Sequence, residues 1–248
     1  MLNIKEHLSI QNFQFAEGEI ININKPLTWT SFQVANFVKY IVKRTSTTKI
    51  KVGHAGTLDP LATGVLLVCT GKKTKTISDL QNMGKCYTGT IVIGATTPCF
   101  DLEQAIDNYY PIAHISDEDI HNATQPFIGE ILQTPPIFSA AWVGGKRSYD
   151  LARAGKEVEL APRLITIQEF SITAIRRKET FIEADIFVRC GKGTYIRSLA
   201  RDLGIALGSG AHLSALCRTA IGEFKIEYAL SPDEFKAQVV AQFAMPVS

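Results

Sequence analysis

Apolar and polar residues along the chain follow two periods, and the predicted elements come from deciding which period holds where. Glu19–Asn24 alternates and runs into Lys25-Pro26, the pattern of a strand entering a turn. Thr30 or Ser31 can cap a helix over Phe32–Lys43, whose Val34, Phe37, Val38 and Ile41 share one stripe. Thr45–Thr63 is rich in Gly, Thr and Pro and has no period, so a long loop is expected. Gly64–Thr70 reads as a buried strand, Lys73–Met83 as a short helix and Tyr87–Thr96 as another strand. An acidic loop over Asp101–Tyr110 precedes a helix at Asp117–Phe127. Gln133–Ala141, with Pro135-Pro136, should be extended, and Arg147–Ala154 helical. Leu164–Ile175 and Thr180–Arg189 pattern as antiparallel strands joined by a turn at Arg176–Glu179. Thr194 is placed to cap a helix that ends at Gly208. Two short strands near Leu213–Cys217 and Phe224–Tyr228 and a last helix at Pro232–Phe243, started by Ser231, complete the pattern.

Strands outnumber helices and do not alternate with them. That predicts an α+β domain around a mixed, largely antiparallel sheet flanked by helices. No internal repeat or low-complexity linker divides the chain, and one domain is the simplest reading.

Composition narrows the function. No apolar run reaches the roughly 18 residues of a membrane helix, and Lys5, Glu6 and His7 interrupt the stretch a signal peptide would need. A cytoplasmic protein is expected. Cys69, Cys86, Cys99, Cys190 and Cys217 form no zinc-like spacing, so neither metal nor disulfide is expected. Net charge is only +2, but its distribution is uneven. Lys25–Lys85 holds ten Lys or Arg against Asp59 and Asp79, whereas Asp101–Glu130 holds seven acids and no base. Segregation on this scale favours a polyanionic partner over a merely solvated face.

The densest chemical signal is Gly53-His54-Ala55-Gly56-Thr57-Leu58-Asp59-Pro60-Leu61-Ala62-Thr63-Gly64. Its glycines permit close backbone approach, and Pro60 keeps Asp59 out of the helical region. The result is a stiff loop that presents one carboxylate between Leu58 and Leu61. A second signal is Gly191-Lys192-Gly193-Thr194-Tyr195-Ile196-Arg197, a glycine turn feeding a helix whose first residues include Tyr195 and Arg197. An arginine there can hold a carboxylate or phosphate bidentately. Gly71-Lys72-Lys73-Thr74 is no P-loop, since Gly64 lies seven residues back rather than five and Lys73 replaces the Ser or Thr. His54 and His212 have no partners for a triad or a metal site.

These segments, together and in order, resemble the tRNA pseudouridine synthase B family. The matching pieces are Asn24-Lys25-Pro26 with Thr30-Ser31, Gly53–Gly64, Gly71…Lys75, and Tyr87 leading to Gly94. They continue with Gln133–Ser139, Tyr149, Ala152-Arg153, Gly193-Thr194-Tyr195-Ile196-Arg197 and Gly210-Ala211-His212…Leu216. The resemblance implies a pseudouridine synthase fold with its catalytic loop at a central cleft. It also implies isomerisation of uridine to pseudouridine at T-loop position 55 of tRNA, without metal or organic cofactor. On motif match, Asp59 is the catalytic aspartate, Tyr87 the tyrosine that stacks on the base and faces its C5 proton, and Arg197 the arginine paired with the aspartate. Tyr195 and Leu216 line the base, and His54 fills the gap it leaves. Lys25 and Pro26 support the loop. Lys75, Lys146, Arg147 and Lys192, in basic stretches near these motifs, are expected to meet RNA phosphates.

The same resemblance places a catalytic domain over 1–230, with an RNA-binding insertion at about 125–156. A short helical tail over 231–248 stands where many relatives carry a full carboxy-terminal RNA-binding domain. Three departures stand out: Trp142 in place of a lysine, Cys217 as the first of an Arg-Arg pair whose second member is Arg218, and Gln104 in place of a glycine. Of the family's Thr/Asp-rich stretch, Asp101 carries over. The partner expected is the T-arm stem-loop of tRNA, bound by a monomer that needs no protein partner and no membrane. A non-catalytic RNA-binding module would not need Asp59, Tyr87 and Arg197 together. A guide-RNA particle subunit would normally carry the longer carboxy terminus. With only one carboxylate so placed, a two-carboxylate glycoside hydrolase is disfavoured.

Overall fold

The computed structural model describes residues 12–139, 142–143, 146–147 and 160–244. The chain divides into two compact units, Met1–Met83 with Cys217–Ser248, and Gly84–Leu216. Both are built on antiparallel strands with helices alongside, the α+β architecture expected.

In the first unit, strand Ile20–Lys25 pairs antiparallel with Ala62–Thr70, setting Ile23 opposite Leu66 and Lys25 opposite Gly64. Alternate residues of Ala62–Thr70 enter two cores. Leu66 and Val68 join Ile21, Ile23, Val34, Val38, Ile41, Leu230, Phe235 and Val239. Val65, Leu67 and Cys69 join Ala55, Leu80 and Ile221. A strand covered on both faces loses its polar alternation, which is why this segment is an unbroken apolar run. Helix Ser31–Lys43 starts with a capping box between Thr30 and Gln33 and buries the stripe Val34, Val38, Ile41. Helix Pro232–Phe243 is capped the same way by Ser231 and Glu234 and puts Phe235 and Val239 into the first core.

In the second unit, strand Lys85–Ile93 pairs antiparallel with Ile182–Cys190, which pairs with Arg163–Arg177, and Gly129–Gln133 lies beyond. The long strand Arg163–Arg177 keeps its length through two register shifts, at Ile167/Glu169 and Ile172/Ala174. Helix Ile196–Ala206 buries Ile196, Leu199, Ala200 and Leu203.

Several elements differ from the sequence expectation. The long loop contains a short strand, Val52–His54, recruited by the edge of Ala62–Thr70. Thr194 does not cap its helix. Its hydroxyl donates back to the Gly191 carbonyl at 3.1 Å, and Tyr195 holds the N-cap position. The two short strands expected after Gly208 are one strand of 11 residues, Ala211–Ile221, followed by Phe224–Lys225. Arg147 belongs to a two-residue strand paired with Trp142–Val143, and the rest of the helix expected there lies outside the described residues.

Candidate active site

The loop from Ala55 to Leu61 connects two strands that pair with each other, so both of its ends are fixed by the sheet. Its middle is fixed by side chains. The Ser31 hydroxyl accepts from the Leu58 N–H at 2.8 Å and donates to the Leu58 carbonyl at 3.1 Å. On the far side of Asp59, the Pro60 carbonyl accepts from the Thr28 N–H at 2.9 Å and from Lys25 Nζ at 3.2 Å. Asp59 is thus held through both neighbours, and its own carbonyl accepts from the Ala62 N–H at 3.1 Å. The carboxylate is half-buried.

Lys25 is fully buried and donates to three backbone carbonyls, those of Pro26, Trp29 and Pro60. Burial lowers its pKa to about 8. The negative charge of Asp59 works against that shift, and Arg218 adds to it. His54 stands at the other end of the loop, its Nδ1 3.2 Å from the Gly56 carbonyl. Burial, and secondarily Arg218, moves its pKa below the usual histidine value, although the Gly56 contact opposes this. The imidazole is therefore neutral near pH 7. Lys75 lies exposed on the 3-10 turn Gly71–Thr76.

In the second unit, Tyr87 is buried on Lys85–Ile93, opposite Val188. Gly89 follows two residues later, on the same face of the strand. A Cβ there would lie 2.6 Å from the Ala215 carbonyl oxygen and 3.4 Å from Leu216 Cδ1. The missing side chain makes room for the Ala215 carbonyl, and Leu216 lies beside it against the face that carries Tyr87. Tyr195 is set by Gln133, whose amide accepts from the Tyr195 N–H at 2.8 Å and donates to its carbonyl at 3.1 Å. Lys192 is exposed.

Arg197 is buried and donates to the Cys99 carbonyl at 3.0 Å and the Phe138 carbonyl at 2.9 Å. Its Nε lies 3.5 Å from Asp101 Oδ2, and both side chains are almost wholly buried. Asp101 is delivered by a tight turn. Phe100 takes a φ of 64°, Thr97 Oγ1 donates to the Asp101 carbonyl at 2.6 Å, and Asp101 Oδ1 accepts from the Glu103 N–H at 3.0 Å. A buried pair of this kind is sensitive to the removal of either member.

Of the residues marked in the sequence, Lys25, Pro26, His54, Asp59 and Lys75 fall in the first unit. Tyr87, Tyr195, Arg197, Leu216, Lys192, Lys146 and Arg147 fall in the second. Within them, the first unit brings Lys25 and Asp59 together, and the second sets Leu216 against the face carrying Tyr87. Ser31, Gln133 and Arg218 act on the same segments and had no chemical signature of their own. Among the described residues, no three His, Cys, Asp or Glu side chains converge to hold a metal ion, and no helix is long and apolar enough to cross a membrane.

Comparison with known proteins gives consistent results. A family model described as TruB family pseudouridylate synthase, N-terminal domain, matches residues 43–196. One described as tRNA pseudouridylate synthase B C-terminal domain matches 197–243. The chain is 53% identical to the tRNA pseudouridine synthase B of Bacteroides fragilis over 222 residues, 89% of this chain and 94% of the relative. It is 52% identical to that of Flavobacterium johnsoniae, over 88% and 94%. Among solved structures, the archaeal box H/ACA sRNP Nop10-Cbf5 complex matches with a TM-score of 0.64 at 26% identity, covering 91% of this chain and 55% of that one. A Cbf5-Nop10-Gar1 complex matches with a TM-score of 0.67 at 26% identity, covering 98% and 59%. The chain therefore spans between half and three-fifths of those two longer chains.

Proposed function

The chain belongs to the TruB family of pseudouridylate synthases, and we propose that it isomerises uridine to pseudouridine at position 55 in the T-loop of tRNA, with Asp59 as the reacting carboxylate. The observation that carries this reading is the clamp on Asp59, with Leu58 held by Ser31 and Pro60 by Lys25 and Thr28. A carboxylate fixed through both neighbours suits a reaction in which misplacement by about 1 Å costs roughly a hundredfold in rate.

The reaction breaks the C1′–N1 bond, turns the uracil and joins C1′ to C5. The base must first leave the folded loop, at a cost of a few kcal/mol. Stacking on an aromatic ring returns roughly 1–3 kcal/mol. Tyr87 supplies that ring and faces the C5 proton, while Leu216 and Tyr195 close on the base. Arg197, set by Asp101, fills the cationic role. His54, neutral near pH 7, suits stacking in the emptied position better than pairing with a phosphate. Asp59 serves as nucleophile or base in its ionised form. The exposed Lys75 and Lys192, with Lys146 and Arg147, meet the RNA backbone. The chain works in the cytoplasm as a monomer.

Two reagents test this. Asp59→Asn should bring single-turnover rates on unmodified tRNA to background while binding stays within a few-fold, and appreciable turnover would remove Asp59 from its role. A transcript with cytidine at position 55 should gain no pseudouridine, and modification elsewhere would refute the position.

A further inference from the structure

Among the described residues, Arg218 is the largest of the fully buried side chains, at 1% exposure. Its Nε donates to the Val65 carbonyl at 2.8 Å, and its Nη1 reaches the Thr57 carbonyl at 3.4 Å. Nη2 has no hydrogen-bond partner among the described residues. No carboxylate forms an ion pair with Arg218 among them either.

A cation in this position is costly, because neutral carbonyls compensate a buried charge less well than a carboxylate does. The surrounding backbone is nonetheless shaped around it. Gly64 has a φ of 102°, and a Cβ there would sit 2.2 Å from the Arg218 carbonyl oxygen. Gly64 also stands opposite Lys25 in the strand register. Lys25, Gly64 and Arg218 therefore form a row with a buried cation at each end. One cation holds the Pro60 carbonyl just after Asp59, and the other reaches the Thr57 carbonyl two residues before it.

We propose that Arg218 is a positioning residue for Asp59. Its guanidinium fixes the chain before the carboxylate and supplies positive potential beneath it, acting through the loop and touching no RNA. The inference rests on Asp59 being the reacting carboxylate. Burial is the main cause of the low pKa of Lys25 and of His54, and the positive charge of Arg218 adds a smaller lowering at each, so its field reaches both ends of the loop.

The experiment compares Arg218→Lys and Arg218→Gln with wild type on unmodified tRNA. Single-turnover rate at saturating RNA, RNA dissociation constant and the His54 titration by NMR are measured for each. Arg218→Lys keeps the charge and loses the planar fork, so its rate should fall about tenfold. Arg218→Gln should fall further, with RNA binding within about threefold of wild type in both. The His54 pKa should rise in Arg218→Gln and stay low in Arg218→Lys, a response that a purely structural role would not produce. Rates within twofold of wild type in Arg218→Lys overturn the proposal. So does a loss of RNA affinity with full rate at saturation, which would make Arg218 an RNA contact. If Arg218→Gln does not fold, Arg218→Lys decides. Asp59→Asn is run alongside: activity there removes the premise, whereas an inactive Asp59→Asn with a fully active Arg218→Lys removes only this inference.

Discussion

Ser31 and Leu58 are 27 residues apart, yet one hydroxyl satisfies both backbone groups of Leu58, accepting from its N–H at 2.8 Å and donating to its carbonyl at 3.1 Å. Leu58 immediately precedes Asp59, so the first residue of helix Ser31–Lys43 sets the direction in which the carboxylate leaves the loop. Ser31→Ala strands both groups in a buried site, at about 1–3 kcal/mol of stability. It should also lower single-turnover rate by roughly ten- to a hundredfold while RNA binding holds. Urea unfolding and rapid-quench assays read the two effects separately. A variant with wild-type rate would mean that the sheet ends alone fix the loop.

Lys25 predicts an unusual pH response. Its pKa falls from 10.5 in the unfolded chain to about 8 in the fold, chiefly through burial. Between these two values the unfolded chain holds more protons than the folded one, so this group makes stability rise with pH. The cost of the buried ammonium is fully present below about pH 8 and is removed as Lys25 deprotonates. The stability of wild type minus that of Lys25→Met should therefore climb between about pH 8 and 10 in denaturant melts. A flat difference would return Lys25 to an ordinary lysine.

Some of this arrangement was legible in the sequence and some was not, for physical reasons. The Asp59 loop announces itself because glycines and Pro60 restrict its backbone around one carboxylate. Strand Ala62–Thr70 shows as an apolar run because both of its faces are covered. Strand Ala211–Ile221 read as ending near Cys217, because Arg218 and Thr219 interrupt the apolar pattern. Burial of a charged Arg218 is what carries the strand on. Nothing periodic signals a hydroxyl or guanidinium that reaches backbone carbonyls far away in sequence, so the sequence pattern gives Ser31 and Arg218 places in the family resemblance but no chemical role. Only the family resemblance points to Asp101 in the sequence. Its burial beside Arg197 depends on the turn at Phe100, whose positive φ is not a usual phenylalanine conformation.

Gln133 should prove as consequential for Tyr195 as Ser31 is for Leu58. It is buried, and its amide is shared between the Tyr195 N–H and carbonyl. Gln133→Leu removes both bonds and should release the start of helix Ile196–Ala206, lowering the rate at saturating RNA more than it weakens binding. Gln133→Glu keeps an acceptor for the Tyr195 N–H and loses the donor, so an intermediate rate is expected. If Gln133→Leu loses affinity with an unchanged saturated rate, Gln133 meets RNA rather than holding Tyr195.

Four cations carry the last prediction. Lys75 and Lys192 are solvent-exposed, and Lys146 and Arg147 lie on a two-residue strand. A side chain that neutralises one phosphate releases condensed counterions, so its removal changes how affinity depends on salt as well as affinity itself. Each Ala replacement should weaken binding to different tRNAs by similar factors. Each should also make the slope of log affinity against log salt shallower by roughly 0.7–0.9. Saturated single-turnover rate should hardly change, because these residues pull on the backbone and not on the reacting uridine. Combining two replacements should add their slope changes, since separated phosphate contacts act independently. Filter binding over a range of potassium chloride concentrations gives the slopes directly. Slopes unchanged in all four variants would make these residues a solvated face and leave the basic excess of the first third of the chain without a role in binding RNA.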